Sequence, residues 1–181
     1  MNFDQWRYYL RGLLLEMLKR PDAAMTAYRQ ALKAAPEFAQ AASCLGYLHA
    51  ARNEIDEAED YYLLSLRLKP NADIWFNLGF IRDKHGRKEQ AIEAFREAIR
   101  LKPTLDRAWY GMGLAHGALG QHEEAARALE EAGRLQPMNA HAWYALGMAY
   151  HHAHQPDKVK EVVMHLLRFD PVMTRQLIQE A

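Results

Sequence analysis

The sequence predicts an all-α solenoid: five helical hairpins stacked in one domain over residues 1–181 and closed by a short C-terminal capping helix. Three observations carry that expectation. Pro36, Pro70, Pro103, Pro137 and Pro171 recur at spacings of 34, 33, 34 and 34 residues. Gly12, Gly46, Gly79, Gly113 and Gly147 repeat those spacings in the same order, each 12 residues before Ala24, Ala58, Ala91, Ala125 and Val159. A fixed period of this length marks a repeat array, in which each unit buries its apolar face against its neighbours. The third observation is composition: 50% of the 181 residues are hydrophobic and 25% charged, the usage of a packed protein.

Each element follows from the local sequence. Repeat one, about 5–38, has an aromatic-rich stretch around Gly12, the break Lys19-Arg20-Pro21-Asp22 and an alanine-rich stretch that Pro36 ends. Repeat two, 39–71, breaks at Ala51-Arg52-Asn53-Glu54, and repeat three, 72–105, at Lys84-His85-Gly86-Arg87. Repeat four, 106–139, breaks at Leu119-Gly120-Gln121-His122, and repeat five, 140–173, at His154-Gln155-Pro156-Asp157. Turn formers followed by acids start helices, and proline, lacking an amide hydrogen, stops them. Gly46 to Ala58 is intact while Pro70 to Gly79 is one residue shorter than Pro36 to Gly46, so the deletion in the 33-residue spacing falls in an inter-repeat turn. The glycines and alanines allow the paired helices close approach.

Trp143-x2-Leu146-Gly147-x2-Tyr150 matches the first half of the tetratricopeptide pattern outright. Trp75, Leu78, Gly79, Ala91, Phe95, Ala98 and Pro103 match it except at the tyrosine, where Arg82 stands, and Trp109, Met112, Gly113, Ala125, Leu129, Ala132 and Pro137 follow it again. Gly12, Ala24, Tyr28, Ala31 and Pro36, then Leu45, Gly46, Ala58, Tyr62 and Pro70, complete the series. The chain resembles the tetratricopeptide repeat (TPR) family over residues 5 to 173. The resemblance implies a right-handed superhelical solenoid of five TPR helix-turn-helix repeats, with the first helix of each lining the concave side. The tryptophans read as packing between helices.

The array's ends read differently from its middle. The third and seventh places of each first helix are apolar in repeats two to five, as in Ala41/Leu45 and Ala142/Leu146, but are Arg7 and Arg11 in repeat one. Solvated charge there is what a terminal cap requires, so residue 5 reads as a true beginning. Val159, Val163 and Leu166 broaden the apolar face of the last hairpin, and residues 174–181 read as a capping helix over it. Truncation of a longer protein at that end is the competing reading.

The resemblance implies a groove lined at the fifth and ninth places of each first helix: Tyr9/Leu13, Ser43/Tyr47, Phe76/Phe80, Tyr110/Leu114 and Tyr144/Met148. Places four apart share a helix face, so this is a nearly continuous apolar stripe, and such a stripe marks an interaction site. The expected occupant is a peptide or amphipathic helix of a partner protein, with Asn77, Lys84 and Arg107 bonding its backbone or acidic groups. The family's chaperone-tail clamp is absent: its lysine and asparagine positions hold Tyr9 and Leu13, and its basic positions in the third repeat hold Asp73 and Asn77.

Other chemistries find less support. Lys plus Arg is 23 and Asp plus Glu is 23, so no basic excess points to nucleic acid or an anionic membrane. One cysteine, Cys44, makes neither an internal disulfide nor a cysteine zinc site, which fits a reducing cytoplasm. The apolar stretch 142–150 is about half of a membrane span. His151, His152 and His154 read as a polar helix end, since neighbours on a helix diverge by about 100 degrees. Glu123-Glu124 and Glu130-Glu131 read as solvated surface. No hydrolase or phosphate-loop motif is present, and no cofactor or metal site is expected. The expectation is a non-catalytic scaffold or adaptor. Its rivals are a self-assembling homo-oligomer driven by the apolar first helix, and the repeat region of a larger enzyme such as a glycosyltransferase.

Overall fold

The structure, a computed structural model, describes residues 3–181, which form helices joined by short turns and no strands. The chain divides into two compact units, one ending at Ile81 and one running Arg82–Ala181. The first holds α1 (Phe3–Met17), α2 (Pro21–Ala34), α3 (Ala39–Ala51), α4 (Ile55–Leu68) and most of α5 (Ala72–Lys84). The second holds α6 (Lys88–Leu101), α7 (Asp106–Ala118), α8 (His122–Leu135), α9 (Ala140–His152), α10 (Pro156–Leu166) and α11 (Pro171–Glu180).

Each hairpin turns on one backbone device. The turns 18–20, 52–54, 85–87, 119–121 and 153–155 have a central residue at positive φ: Lys19, Asn53, Gly86, Gly120 and His154, at 55, 62, 77, 73 and 56°. The next amide reaches back five residues, as Arg20 N to Leu15 O (2.9 Å), Glu54 N to His49 O (3.0 Å) and Gln121 N to His116 O (3.0 Å) show. This left-handed reversal satisfies carbonyls that a helix end leaves open, and glycine adopts it without a Cβ penalty at Gly86 and Gly120.

Proline sets the other turns. Ala35, Lys69, Lys102 and Gln136 close the second helices in extended or near-extended geometry, as the residue before proline must. These turns span 35–38, 102–105 and 136–139, but only 69–71 at the short repeat. The Trp109 and Trp143 indole N–H groups donate to the Pro103 and Pro137 carbonyls at 2.8 and 2.9 Å, pinning each following first helix to its turn. Pro171 differs. α10 has already ended at Leu166, and Asp170 accepts from the Met173 amide at 2.8 Å, so Pro171 opens α11 at its first position, ahead of the expected start at 174.

In three hairpins the glycine of the first helix receives a large side chain from the second. A Cβ on Gly12 would lie 2.4 Å from the Tyr28 ring, on Gly46 2.6 Å from that of Tyr62, and on Gly113 2.6 Å from Leu129. At Gly147 the nearest side chain is Leu177 of α11, at 2.5 Å, so α11 covers this hairpin. The first unit's core gathers Met25, Tyr28, Phe38, Leu45 and Leu48, with Trp6 and Tyr9 stacked edge-on to Phe38 at 4.9 and 5.2 Å. The second unit's core gathers Leu129, Leu146, Tyr150, Val162, Leu166 and Leu177.

Gly46→Ala is expected to destabilise the protein by about 1–2 kcal/mol, because the Tyr62 ring, 2% exposed, has nowhere to move and overpacking outweighs the gain in helix propensity. Gly117→Ala has the opposite sign. Its Cβ would meet only the Ala125 Cβ at 3.9 Å, so the propensity gain of up to about 1 kcal/mol survives. Urea unfolding of the two variants measures both.

Candidate functional site

In the second unit, helical periodicity brings three faces together. Leu114 and Gly117 of α7 meet Tyr144, Ala145, Met148 and His152 of α9 across Ala125 and Leu129 of α8, around an open hollow of about 300 Å3. Residues 144, 148 and 152 of α9, each one turn apart, line one side of it. Space exists because Gly117, Ala125 and Ala145 are small. Leu129, 2% exposed, is the floor, while Leu114 at 42% exposure stands at the edge. The volume suits one or two apolar side chains.

Ionisable groups sit at its borders. The His122 ring, opening α8, lies 4.9 Å from that of His152, which ends α9, at 33° between planes, and His151 stands edge-on to His152 at 5.2 Å. So His151 and His152 do approach each other, although a helix fans neighbours apart, because their rings turn toward one another. The Tyr144 hydroxyl donates to the Glu180 carboxylate of α11, which also accepts from Gln176 Nε2 at 3.0 Å. That bond raises the Tyr144 pKa, with burial adding to it, and holds the Glu180 carboxyl below its ordinary range.

The expected stripe residues fall into several situations. Leu114, Tyr144 and Met148 line the hollow. Tyr110 is half-buried beside them against the same core, where burial raises its pKa, and Lys84 and Arg107 are exposed. In the first unit Tyr47 and Phe80 are the open members, at 59 and 54% exposure, and Phe76 stacks on Phe80 at 6.3 Å. Asn77 is half-buried, and burial pushes the Tyr62 pKa up. Tyr9 and Leu13 pack inward: the Tyr9 ring lies 6.0 Å from Trp6 and 5.7 Å from Tyr28, and Leu13 rests on the core of α2 and α3.

Sequence reasoning missed His122, Gly117 and Ala125, because they lie off the fifth-and-ninth stripe. The signal was available in the order of elements, since His122 opens a second helix just where the next first helix ends. The acidic pairs lie on the surface, where some of them find partners. Glu130 accepts from the Tyr150 hydroxyl, and Glu124 and Glu131 pair with Arg127 and Arg134 at 2.9 and 2.7 Å. Among the described residues no group of three or more His, Cys, Asp or Glu could hold a metal ion, and no helix is long and apolar enough to cross a membrane.

A family model described as tetratricopeptide repeat matches residues 9–73 and 110–158, and one described as TPR repeat matches 84–120. The chain belongs to the tetratricopeptide repeat family. It is similar to the peroxisomal targeting signal receptor of Candida glabrata, 38% identical over 66 residues, which are 36% of this chain and 11% of the receptor. It is also similar to the human protein O-mannosyl-transferase TMTC3, 32% identical over 96 residues, 52% of this chain and 10% of that protein. The chain thus spans about a tenth of the length of these curated relatives. Among solved structures, MamA superposes with a TM-score of 0.85 at 23% identity, covering 99% of this chain and 97% of MamA. YrrB, described as a TPR protein with an unusual peptide-binding site, gives 0.83 at 21% identity, covering 95% of this chain and 90% of YrrB. These likenesses establish an all-α TPR fold.

The tie between Tyr144 and α11 is directly testable. An NMR titration is expected to place the Glu180 carboxyl below the ordinary carboxylate range in the wild type and to return it there in Tyr144→Phe. The sign follows from linkage: a lowered carboxyl pKa stabilises the folded contact above the ordinary range, and the contact is lost as pH falls through the lowered value.

Proposed function

We propose that this chain is a non-catalytic protein–protein interaction scaffold or adaptor that captures a peptide or amphipathic helix of a partner protein along its first helices. One observation carries the reading: an apolar hollow of about 300 Å3 holding Leu114, Tyr144 and Met148, three residues of the expected stripe. The proposed contact surface continues through Tyr110 and Arg107 in the second unit. In the first unit, taken by itself, Tyr47, Phe76, Asn77 and Phe80 form a second proposed contact patch. Tyr9 and Leu13 serve it by supporting the first hairpin, and Lys84 supplies a cation. The peptide-binding site named in the description of YrrB supports the same use of a shared fold. A rigid hollow holds an apolar anchor at low ordering cost, so few contacts suffice. We place this activity in the cytoplasm, with no cofactor and no nucleic acid.

A second reading, self-assembly, rests on a different observation. α1 exposes Phe3, Trp6, Leu10, Leu14 and Met17 at spacings of three or four residues, an apolar face of one amphipathic helix. The repeat region of a larger enzyme such as a glycosyltransferase is the third, and the likeness to the O-mannosyl-transferase supports it.

Leu114→Arg and Met148→Arg are expected to cost about 2 kcal/mol of partner affinity each, the scale of a central anchor, with helical content and unfolding midpoint preserved. Affinity capture with the full chain, quantified beside circular dichroism, checks this; unchanged recovery with an intact fold refutes groove capture. Light scattering separates the second reading. A constant mass near 20.9 kDa across concentrations leaves the hollow free for a partner, while a growing mass that Leu10→Arg abolishes identifies self-assembly.

A further inference from the structure

We propose that the hollow between α7, α8 and α9 selects an acidic partner segment, one in which an apolar anchor is flanked by carboxylates, and that His122 and His152 read those carboxylates as imidazolium ions. The inference rests on the groove-capture reading and names the class of segment it accepts. Its ground is charge complementarity. Among the described residues lining the hollow no carboxylate appears, and the ionisable groups besides Tyr144 are two imidazoles 4.9 Å apart. His151 adds a third ring next to His152, and Arg107 and His141, both exposed, stand on α7 and α9.

The charged groups on the surrounding elements leave this bias in place. On α7, His116 is hydrogen-bonded to Gln121 at 2.6 Å. On α8, Glu123 is exposed beside His122, Glu124 pairs with Arg127 at 2.9 Å, and Glu130 is held by Tyr150. On α10, Asp157 pairs with Lys160 at 2.9 Å, and Lys158 lies over the Tyr150 ring at 4.7 Å. On α11, Glu180 is held by Tyr144 and Gln176, and Arg175 is exposed. Glu123 is an exposed carboxylate next to His122 in the chain but does not line the hollow, whereas the two imidazoles do, so an anion seated in the hollow meets them directly.

Histidine changes charge within the physiological range, whereas side-chain carboxylates stay ionised there. A bound carboxylate favours the protonated imidazoles, so binding takes up protons and affinity rises as pH falls. The same imidazolium pair is repelled by a basic segment. The hollow thus separates acidic from basic partners carrying identical apolar anchors, which its Leu, Met and Tyr lining alone cannot do.

The experiment uses the full chain and three fluorescein-labelled peptides that share a central Leu-Trp anchor, flanked on both sides by glutamates, glutamines or lysines. Fluorescence anisotropy is read at about pH 8 and about pH 6. The glutamate peptide is expected to bind best and to tighten about fivefold on acidification, the scale of two solvent-accessible ion pairs. His122→Gln combined with His152→Gln is expected to abolish that response; His152→Gln alone halves it on a logarithmic scale. Three peptides that bind alike, a pH response that persists in the double variant, or failure of the glutamate peptide to bind overturns the proposal. If all three bind alike and Met148→Arg abolishes them together, groove capture stands and only the acidic preference is lost. If none binds, both fail. A hollow already filled by a second copy, seen as a mass that falls in Met148→Arg, also overturns it.

Discussion

The architecture depends on one steric constraint, the absence of a side chain where the first helix of a hairpin meets the large residue of the second. At Gly12, Gly46 and Gly113 a Cβ would lie within 2.4 to 2.6 Å of Tyr28, Tyr62 and Leu129. Such distances leave no room for adjustment in a core packed at crystal-like density. The contact fixes the rotation of the first helix about its axis as well as its separation from the second. Once Gly113 faces α8, residue 114 must stand about 100 degrees away, at the rim of the hollow. The glycine thus decides which residues a partner can touch, without touching a partner itself.

Turn geometry enforces the same arrangement from the backbone side. Five hairpin turns place one residue at positive φ and close with an amide reaching five residues back. Glycine occupies two of these positions, while Lys19, Asn53 and His154 hold the other three in a conformation that disfavours side chains. The turn is therefore set by tertiary packing as much as by residue preference. His154 illustrates the consequence. Taken from the sequence it belongs with His151 and His152, but its backbone reverses the chain and carries it out of the pair that His122 and His152 form.

What was legible in the sequence is what a period can carry. The proline and glycine series marks the short inter-repeat turn at 69–71 and the register of the first helices, because each rests on a local rule repeated in register, while Pro171 departs from the series by opening α11. Contacts between residues far apart in different registers were not legible. Tyr144 reaches Glu180 of α11, and Tyr150 reaches Glu130 at positions that Arg29 and His49 pair in the first unit with different chemistry, so the residue types do not repeat with the period. Tyr9 keeps the stripe's spacing yet turns inward, since Trp6, Tyr28 and Phe38 offer it an aromatic surface that Tyr47 lacks. Periodicity assigns a face to a residue; what that face meets depends on which neighbours are large.

That last point explains why the hollow lies where it does. The position of Leu129 holds Tyr28, Tyr62 and Phe95 in earlier repeats, and that of Gly117 holds Glu16, Ala50 and Asp83. Replacing an aromatic ring by leucine and a longer side chain by hydrogen removes volume from one junction, while Ala125 keeps the small residue that the pattern demands. The hairpin tolerates this because Leu129 still fills the space over Gly113. A strictly regular array would bury its first-helix face under uniform aromatic contacts and present a flat stripe. A cavity arises where the pattern lapses in two places that face each other, and the lapse leaves apolar walls in contact with solvent. An occupant that removed those walls from water would gain roughly 25 cal/mol per Å2 of apolar surface, which is the physical reason the proposed capture is centred on this irregular junction.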